Sequence, residues 1–370
     1  MGNQHPERVA VAMSGGVDSS VTAALLRREG YDVVGFTMRL GSSSGDWEAR
    51  NACCGLTEVH DARRVADTLG IPHYVLNQAA PFEKLVIDDF VDEYRRGRTP
   101  NPCIRCNQHI KFATFLDHAR AFGCGQVATG HYARLAWQPE RGRYGLRRGL
   151  DPGKDQSYVL HTLTQEQAAH TLLPLGGYAK AEVRAIAAEL GLATAAKPDS
   201  QEICFVEDGA YADFVKQRAP EAAREGQIVT PDGQRLGTHA GIIHFTVGQR
   251  KGLGLAAGEP LIVSELRAES NEVVVEPAAT AGRRRFEVAK VNWLSLAAPV
   301  APLAAGVQVR YRMQPLPAVI EPSGELVRVV LPEPVRGVSP GQAAVFYDSD
   351  GWVLGGGTIA RVLREEEGAR

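Results

Sequence analysis

Residues 12–19 read Ala-Met-Ser-Gly-Gly-Val-Asp-Ser. An apolar run, Val9 to Met13, precedes the glycines, and Ser19–Arg28 follows at helical spacing without a breaker. A strand, a Gly-Gly turn and a helix start together make an anion site. The glycines let backbone N–H groups approach a phosphate, and the helix N-terminus adds partial positive charge. Ser14 and Ser19 bring hydroxyl donors, and Asp18 is suited to holding a magnesium ion against phosphates. The spacing fits neither a Walker loop nor the dinucleotide fingerprint.

A second segment, Arg98-Thr-Pro-Asn-Pro-Cys-Ile-Arg-Cys-Asn107, carries a C-x-x-C pair. Pro102 pushes Asn101 towards an extended conformation. Arg98 and Arg105 lie beside Cys103 and Cys106, and nearby positive charge raises the thiolate fraction. Four readings of the pair stand: catalytic thiols, a zinc or iron–sulfur site shared with Cys204 or Cys53-Cys54, a redox pair, or inert packing. The redox reading is disfavoured because that motif opens a helix in a different context. Cys124, after the helix-stopping Gly123, reads as packing, and Cys53-Cys54 is ambiguous. The third segment is Lys197-Pro-Asp-Ser-Gln-Glu-Ile-Cys-Phe205. Cys204, between Ile203 and Phe205, reads by itself as a core residue.

The elements that position these residues alternate over the first 200 residues. Strands are expected at Asp32–Met38, His73–Leu76 and Gln126–Thr129. Helices are expected at Thr57–Leu69 (stopped by Gly70), Phe82–Tyr94 and Lys111–Phe122, with a Gly/Ser loop at Gly41–Gly45. Such alternation predicts an α/β domain with a parallel sheet, its phosphate loop at the carboxyl end of the first strand. From about Gly209 short β-rich runs such as Gln227–Val229 and Ile242–Val247 take over. Beyond Ala278 the runs Val307–Tyr311, Val327–Leu331, Ala343–Tyr347 and Gly356–Ala360 predict an antiparallel barrel. The expected domains are residues 1–208, 209–277 and 278–370.

The 370 residues suffice for three such cores, and 44% hydrophobic and 23% charged residues are ordinary for a globular chain. No apolar run reaches the ~18 residues of a membrane span, and Met1–Arg8 lacks a signal core, so a cytoplasmic protein is expected. Six cysteines there point to reactive or metal-binding thiols. The net charge of −2 gives no global sign of nucleic acid. The clusters Arg95-Arg96-Arg98, Arg147-Arg148, Arg250-Lys251 and Arg283-Arg284-Arg285 could still form a local phosphate-binding face.

The Ser-Gly-Gly-Val-Asp-Ser run resembles the loop of the ATP pyrophosphatases, which split ATP between its α and β phosphates. Together with Asn101-Pro-Cys-Ile-Arg-Cys-Asn107 and Ser200-Gln-Glu-Ile-Cys-Phe205, it makes the chain resemble the bacterial tRNA-specific 2-thiouridylases. The resemblance extends through Thr129-Gly-His-Tyr132, Gly153-Lys-Asp-Gln-Ser-Tyr158, Gly237-Thr-His239, Phe245–Gly254, Val309-Arg-Tyr-Arg312 and Pro340-Gly-Gln342. It implies an ATP site at Ala12, Met13, Ser14, Gly15, Gly16, Val17, Asp18, Ser19, Met38 and Gly130. It implies Cys106 as nucleophile and Cys204 as persulfide carrier, with the target base at Asn101, Pro102 and Cys103. It further implies tRNA contacts from His131, Lys154, Asp155, Gln156, Arg310, Tyr311 and Gln342. Some members of that family carry Asp in place of Cys103, and Thr-Gly in place of Gln201-Glu202.

The implied reaction places sulfur at C2 of the wobble uridine. ATP, with magnesium, turns the C2 oxygen into AMP, a good leaving group. A persulfide from a donor protein then supplies sulfur, leaving a Cys106–Cys204 disulfide. The barrel would hold the tRNA body through Arg310 and Tyr311, while the first domain takes the anticodon loop. A monomer without membrane contact is expected. The alternatives are a thiolase using an iron–sulfur cluster on Cys103, Cys106 and Cys204, and another adenylating ligase with the same loop.

Overall fold

The computed structural model describes residues 7–41, 55–198, 203–206, 211–255 and 258–364. Cys53, Cys54, Gln201, Glu202 and most of the Gly41–Gly45 loop lie outside them. The first strand, β1 (Arg8–Ala12), buries three consecutive residues, Val9, Ala10 and Val11. An unalternating apolar strand is stable only with both faces covered, which is the condition of a central parallel strand. It is followed by α1 (Val17–Arg28), β2 (Asp32–Arg39), α2 (Leu56–Leu69) and β3 (His73–Asn77). Gly70 ends α2 at φ 63°, the left-handed turn that glycine adopts without penalty.

Two long helical rods come next. The first, α3, joins Ala79–Phe82, Glu83–Ile87 and Asp88–Arg95. The second, α4, joins Pro102–Arg105, Cys106–Thr114 and Phe115–Ala121. The middle stretch of each carries a widened, π-type turn, with Asp88 N–H reaching Glu83 O and Phe115 N–H reaching Ile110 O. The chain continues through β4 (Gln126–Ala128), the hairpin β5 (Ala133–Gln138) and β6 (Arg143–Arg148), β7 (Thr171–Leu172) and helix α5 (Lys180–Glu189). The sheet order is β3-β2-β1-β4-β7, all parallel. The chain runs outward from β1 to β3 and then returns across it to β4. The gap between β1 and β4 is thus the topological switch point, where such sheets bind ligands.

The α4 rod departs from expectation by starting at Pro102 rather than Lys111. Pro102 occupies the first helical position, where its fixed φ costs nothing, and Asn101 is extended as expected. The widened turns break the 3.6-residue spacing of the apolar side chains, which hides the first half of the rod from a periodicity reading.

Helix α6 (Tyr211–Arg218) leads into a four-stranded sheet of β8 (Gly226–Val229), β9 (Arg235–His239), β10 (Leu261–Arg267) and β11 (Glu272–Pro277), ordered β10-β11-β8-β9. Ile242–Val247 is not a strand. Ile242–His244 forms a 3-10 turn after Gly241, whose φ of 151° turns the chain, and Ile242, Ile243, Phe245 and Val247 plug the core as a loop. A closed antiparallel barrel follows, made of β12 (Gly282–Trp293), β13 (Leu303–Gln308), β14 (Leu316–Ser323), β15 (Leu326–Arg336), β16 (Ala343–Tyr347) and β17 (Val353–Leu363). Closure removes the open strand edges. Phe286, Ile320, Val329 and Phe346 fill its interior. Arg310 and Tyr311 fall in the turn after β13, not in the strand.

The three units share apolar cores. Phe90, Ile110 and Cys106 pack in one cluster with Val215, Ile242 and Val263 of the second unit. Ile104, Phe112 and Tyr158 pack in another with Ala343, Val345 and Tyr347 of the barrel. Polar ties reinforce the second seam. The Tyr158 hydroxyl donates to Ala343 O at 2.9 Å, and Asn292 Nδ2 donates to His161 O at 2.7 Å.

His161 lies in this seam, 2% exposed, with Nδ1 2.8 Å from Tyr158 O. Desolvation pulls its pKa down to about 4. The folded state thus refuses a proton that the unfolded chain accepts below its ordinary pKa of ~6.5. Stability should be unaffected by His161 above pH 6.5 and fall by up to about 3 kcal/mol as pH drops towards 4. Urea unfolding at pH 7, 5.5 and 4.5 checks this, and His161→Gln should flatten that part of the profile.

Candidate active site

The turn after β1 carries the phosphate loop. Ser14 N–H donates to Ser19 Oγ at 3.1 Å, and Ser19 Oγ donates to Gly16 O at 3.1 Å. Ser19 is therefore buried framework, while the Ser14 hydroxyl faces outward at 3.3 Å from it. Gly15 has φ 69°, and a Cβ there would strike the Glu58 backbone of α2. Gly16 caps α1 without any side-chain hydrogen bond, so the helix N-terminus keeps its donors for an incoming anion. Gly130, after β4, closes the other side. A Cβ on it would lie 2.8 Å from the Asp18 carbonyl carbon. Met38, at the end of β2, is buried beside the loop's base, where Thr37 Oγ1 donates to Met13 O at 2.8 Å. Ala12 to Ser19, Met38 and Gly130 thus all gather at the carboxyl ends of β1, β2 and β4, around the switch point.

The Asp18 carboxylate, about a third exposed, is already engaged. Lys180 Nζ lies 2.7 and 2.8 Å from its two carboxylate oxygens, and the Tyr132 hydroxyl donates to one of them at 2.7 Å. Lys180 opens α5 with a side chain only 11% exposed. Sequence reasoning missed it, since it stands 162 positions from Asp18 and no motif marked it. The only signal was a lysine at a helix start, against the helix dipole, where a cation is unfavourable without an anionic partner.

The cysteine segment is anchored at several points. Thr99 N–H donates to Pro340 O at 2.9 Å, and Ser339 Oγ donates to Thr99 Oγ1 at 3.0 Å. Arg98 reaches Ala360 O at 3.1 Å, and Asn107 Nδ2 donates to Val159 O at 3.1 Å. Cys103 is exposed and Cys106 is 8% exposed at the start of the widened turn. Arg105 is committed to Asp89 at 3.3 Å and Gln108 at 3.0 Å. Cys204 is half-buried, and its neighbour Phe205 packs edge-on to Phe82 and Phe90 of α3 at 5.7 and 5.3 Å between ring centroids. Cys106 and Cys204 therefore border one apolar cluster. Among the described residues no group of three or more His, Cys, Asp or Glu side chains is placed to hold a metal ion. Cys124 is 2% exposed, and burial pushes its thiol pKa up, which suits packing.

The expected tRNA-contacting residues divide. Asn101, Arg310, Tyr311 and Gln342 line one cavity of about 520 Å³, with Thr246 and Gln249 of the second unit. Arg310 and Tyr311 of the barrel thus stand beside Asn101 of the first unit. Others turn inward. His131 is 7% exposed with Nδ1 2.6 Å from Thr129 Oγ1, and desolvation with nearby Lys111 keeps its pKa well below the ordinary range. Asp155 accepts from Arg148 Nε at 2.8 Å, Gly149 N–H at 3.0 Å and Ser157 Oγ at 3.1 Å. Gln156 exchanges hydrogen bonds with the Tyr132 backbone at 2.9 and 3.0 Å. Asp155 and Gln156 are thus turn-building residues, while Lys154 stays partly exposed. Pro102 is buried as the first residue of α4.

Residues 7–208 match the family described as the tRNA methyl transferase HUP domain, 212–277 its PRC-barrel domain, and 283–359 the aminomethyltransferase beta-barrel domain. The tRNA-specific 2-thiouridylase of Methylorubrum populi is 51% identical over 99% of this chain and 96% of its own. That of Heliobacterium modesticaldum is 51% identical over 96% and 93%, and that of Clostridioides difficile 46% over 96% and 99%. A solved 4-thiouridine synthetase–RNA complex with bound ATP is more distant, 16% identical with a TM-score of 0.34 over 58% of this chain and 51% of that one. On the strength of the full-length relatives, the chain belongs to the tRNA-specific 2-thiouridylase family.

Proposed function

We propose that this chain is a tRNA sulfurtransferase that replaces the C2 oxygen of the wobble uridine with sulfur at the expense of ATP. The observations that carry the reading are an uncapped phosphate loop at the switch point and, in the same unit, a cysteine segment hydrogen-bonded to the barrel and packed into the core shared with the second unit. The proposed domains are residues 1–208, 209–277 and 278–370, with the shared cores making them one working body.

The loop's backbone donors and Ser14 hold the phosphates, and the C2 oxygen attacks the α phosphate, expelling pyrophosphate. The surroundings of Asp18 do not suit a protein-held magnesium, because the Lys180 ammonium at 2.7 and 2.8 Å already neutralises the carboxylate and repels a second cation. Any magnesium would come with the triphosphate, and Lys180 supplies fixed positive charge beside it. The outer sulfur of a Cys204 persulfide then attacks C2 as AMP leaves, giving a C2–S–S–Cys204 linkage. Cys106, as thiolate, attacks the Cys204 sulfur and releases the thiouridine sulfur with its electron pair. The product is a Cys106–Cys204 disulfide, which a thiol reductant must reopen before the next turnover. A donor protein carrying a persulfide reloads Cys204. The apolar setting of the two cysteines, Cys106 buried and Cys204 half-buried, favours this exchange over loss of sulfur to water.

Lys180→Met should lower pyrophosphate release by more than about tenfold, since preorganised charge is lost where phosphate charge develops. Asp18→Asn should do the same by releasing the Lys180 ammonium from its set position. Tight tRNA binding should survive both changes, as measured by filter binding. Release of ADP and phosphate in place of AMP and pyrophosphate would end the adenylation reading.

Cys106→Ser and Cys204→Ser should each abolish thiolation while keeping ATP and tRNA binding. Cys103→Ser should keep substantial activity, as its role is contact with the base. Mass spectrometry should find one added sulfur on Cys204 after exposure to a persulfide donor. A brown protein whose activity follows its iron content, with Cys103→Ser as dead as the others, would favour the cluster mechanism instead.

A further inference from the structure

Arg310 is exposed, yet part of its guanidinium is tied into the fold. Its Nε donates to Gly337 O at 3.0 Å and its Nη2 to Val247 O at 3.0 Å. One guanidinium therefore ties the turn after β13 to a second barrel turn and to the loop before β10 of the second unit. Both anchoring turns are built around it. Gly248 has φ 96° and a Cβ there would lie 2.6 Å from Arg310 Nη2, while Gly337 has φ 74° and a Cβ there would strike the same nitrogen. The Val247 loop is otherwise stiff. Gly248 N–H donates to Val263 O at 2.8 Å, Thr246 N–H to Gln249 Oε1 at 3.0 Å, and Gln249 Nε2 to Lys251 O at 3.0 Å.

We infer that Arg310 is a positioning residue: it latches the Thr246–Gln249 loop against the barrel, making that loop a wall of the cavity that receives an unpaired RNA nucleotide. The inference rests on the function proposed above. The cavity's about 520 Å³ can take a nucleoside, and its walls come from all three units. Tyr311, 39% exposed, offers a ring face for stacking, and Asn101 and Gln342 present side-chain amides that can read a base edge. Two of the five N–H donors of Arg310 are held by carbonyls, which fixes the plane and position of its guanidinium.

A phosphate contact and a latch differ in their salt dependence. Losing a phosphate contact reduces the slope of log affinity against log salt by about one, whereas losing a latch leaves it unchanged. Affinity for unmodified tRNA would be measured over a salt series for the wild type, Arg310→Met, Arg310→Lys and Gly337→Ala. The latch predicts a drop of about tenfold or more for Arg310→Met at unchanged slope, from loss of two charge-assisted hydrogen bonds. Arg310→Lys should not rescue, because one ammonium cannot span both carbonyls in the guanidinium's geometry. Gly337→Ala, which keeps the charge but displaces the guanidinium, should weaken binding similarly and add little to Arg310→Met. The KM for tRNA should rise while that for ATP stays the same. Trypsin cleavage at the exposed Arg250-Lys251 site should quicken in all three variants without RNA. A slope reduced by one with unchanged cleavage would overturn the latch and make Arg310 a phosphate ligand. Wild-type protein that binds no tRNA would overturn the RNA reading, while faster cleavage in the variants would still support the latch.

Discussion

The short segment from Arg98 to Asn107 must meet all three units at once, and much of the architecture follows from that demand. It bonds to the barrel through Thr99 and Arg98, and to the Ser157–Leu160 turn through Asn107. Its apolar members divide between two cores: Ile104 joins the barrel-side cluster and Cys106 the cluster shared with the second unit. A segment restrained this way has little conformational freedom left to lose when substrate arrives, and preorganisation of that kind is a main source of catalytic positioning. Pro102 contributes by fixing the first dihedral of α4, and the widened turn from Cys106 onward offsets the side chains that follow.

The phosphate loop obeys a different logic. Its backbone is shaped by close packing, with Gly15 pressed on α2 and Gly130 pressed on the start of α1, so neither position tolerates a side chain. Its charges are balanced internally before any ligand binds. Asp18, Lys180 and Tyr132 form a compact network in which the ammonium is paired and mostly buried. Pairing lowers the cost of keeping a cation out of water and holds it at a fixed place.

The seams between units are treated as interior. Tyr158, Ser157 and Tyr347 satisfy one another or backbone carbonyls, and His161 is kept neutral by desolvation. The junction cavity is the exception, a polar gap left where three well-packed surfaces converge. Polar groups of the junction are spent on structure to different degrees: Gln249 and two of the donors of Arg310 bond the backbone, and Asp155 and Gln156 build the turn that carries Tyr158.

Local sequence was enough for the β1–loop–α1 unit, the Gly70 stop, the alternation of the parallel sheet and the barrel strands Ala343–Tyr347 and Gly356–Ala360, because these depend on nearest neighbours and on side-chain period. Three things were beyond local reading. The true start of α4 was masked by widened turns that break the helical period. Ile242–Val247 has the composition of a strand, yet Gly241 and the pull of a buried core make it a plug. Lys180 and Arg310 took roles that sequence distance conceals, since a charged side chain is assigned by whichever partner the fold brings within about 3 Å. Residue chemistry determined what reaction this chain could attempt; only the packing of three units decided where its polar groups would stand to perform it, because a cation bonded to a carbonyl or carboxylate is held in place by that partner and acts from there.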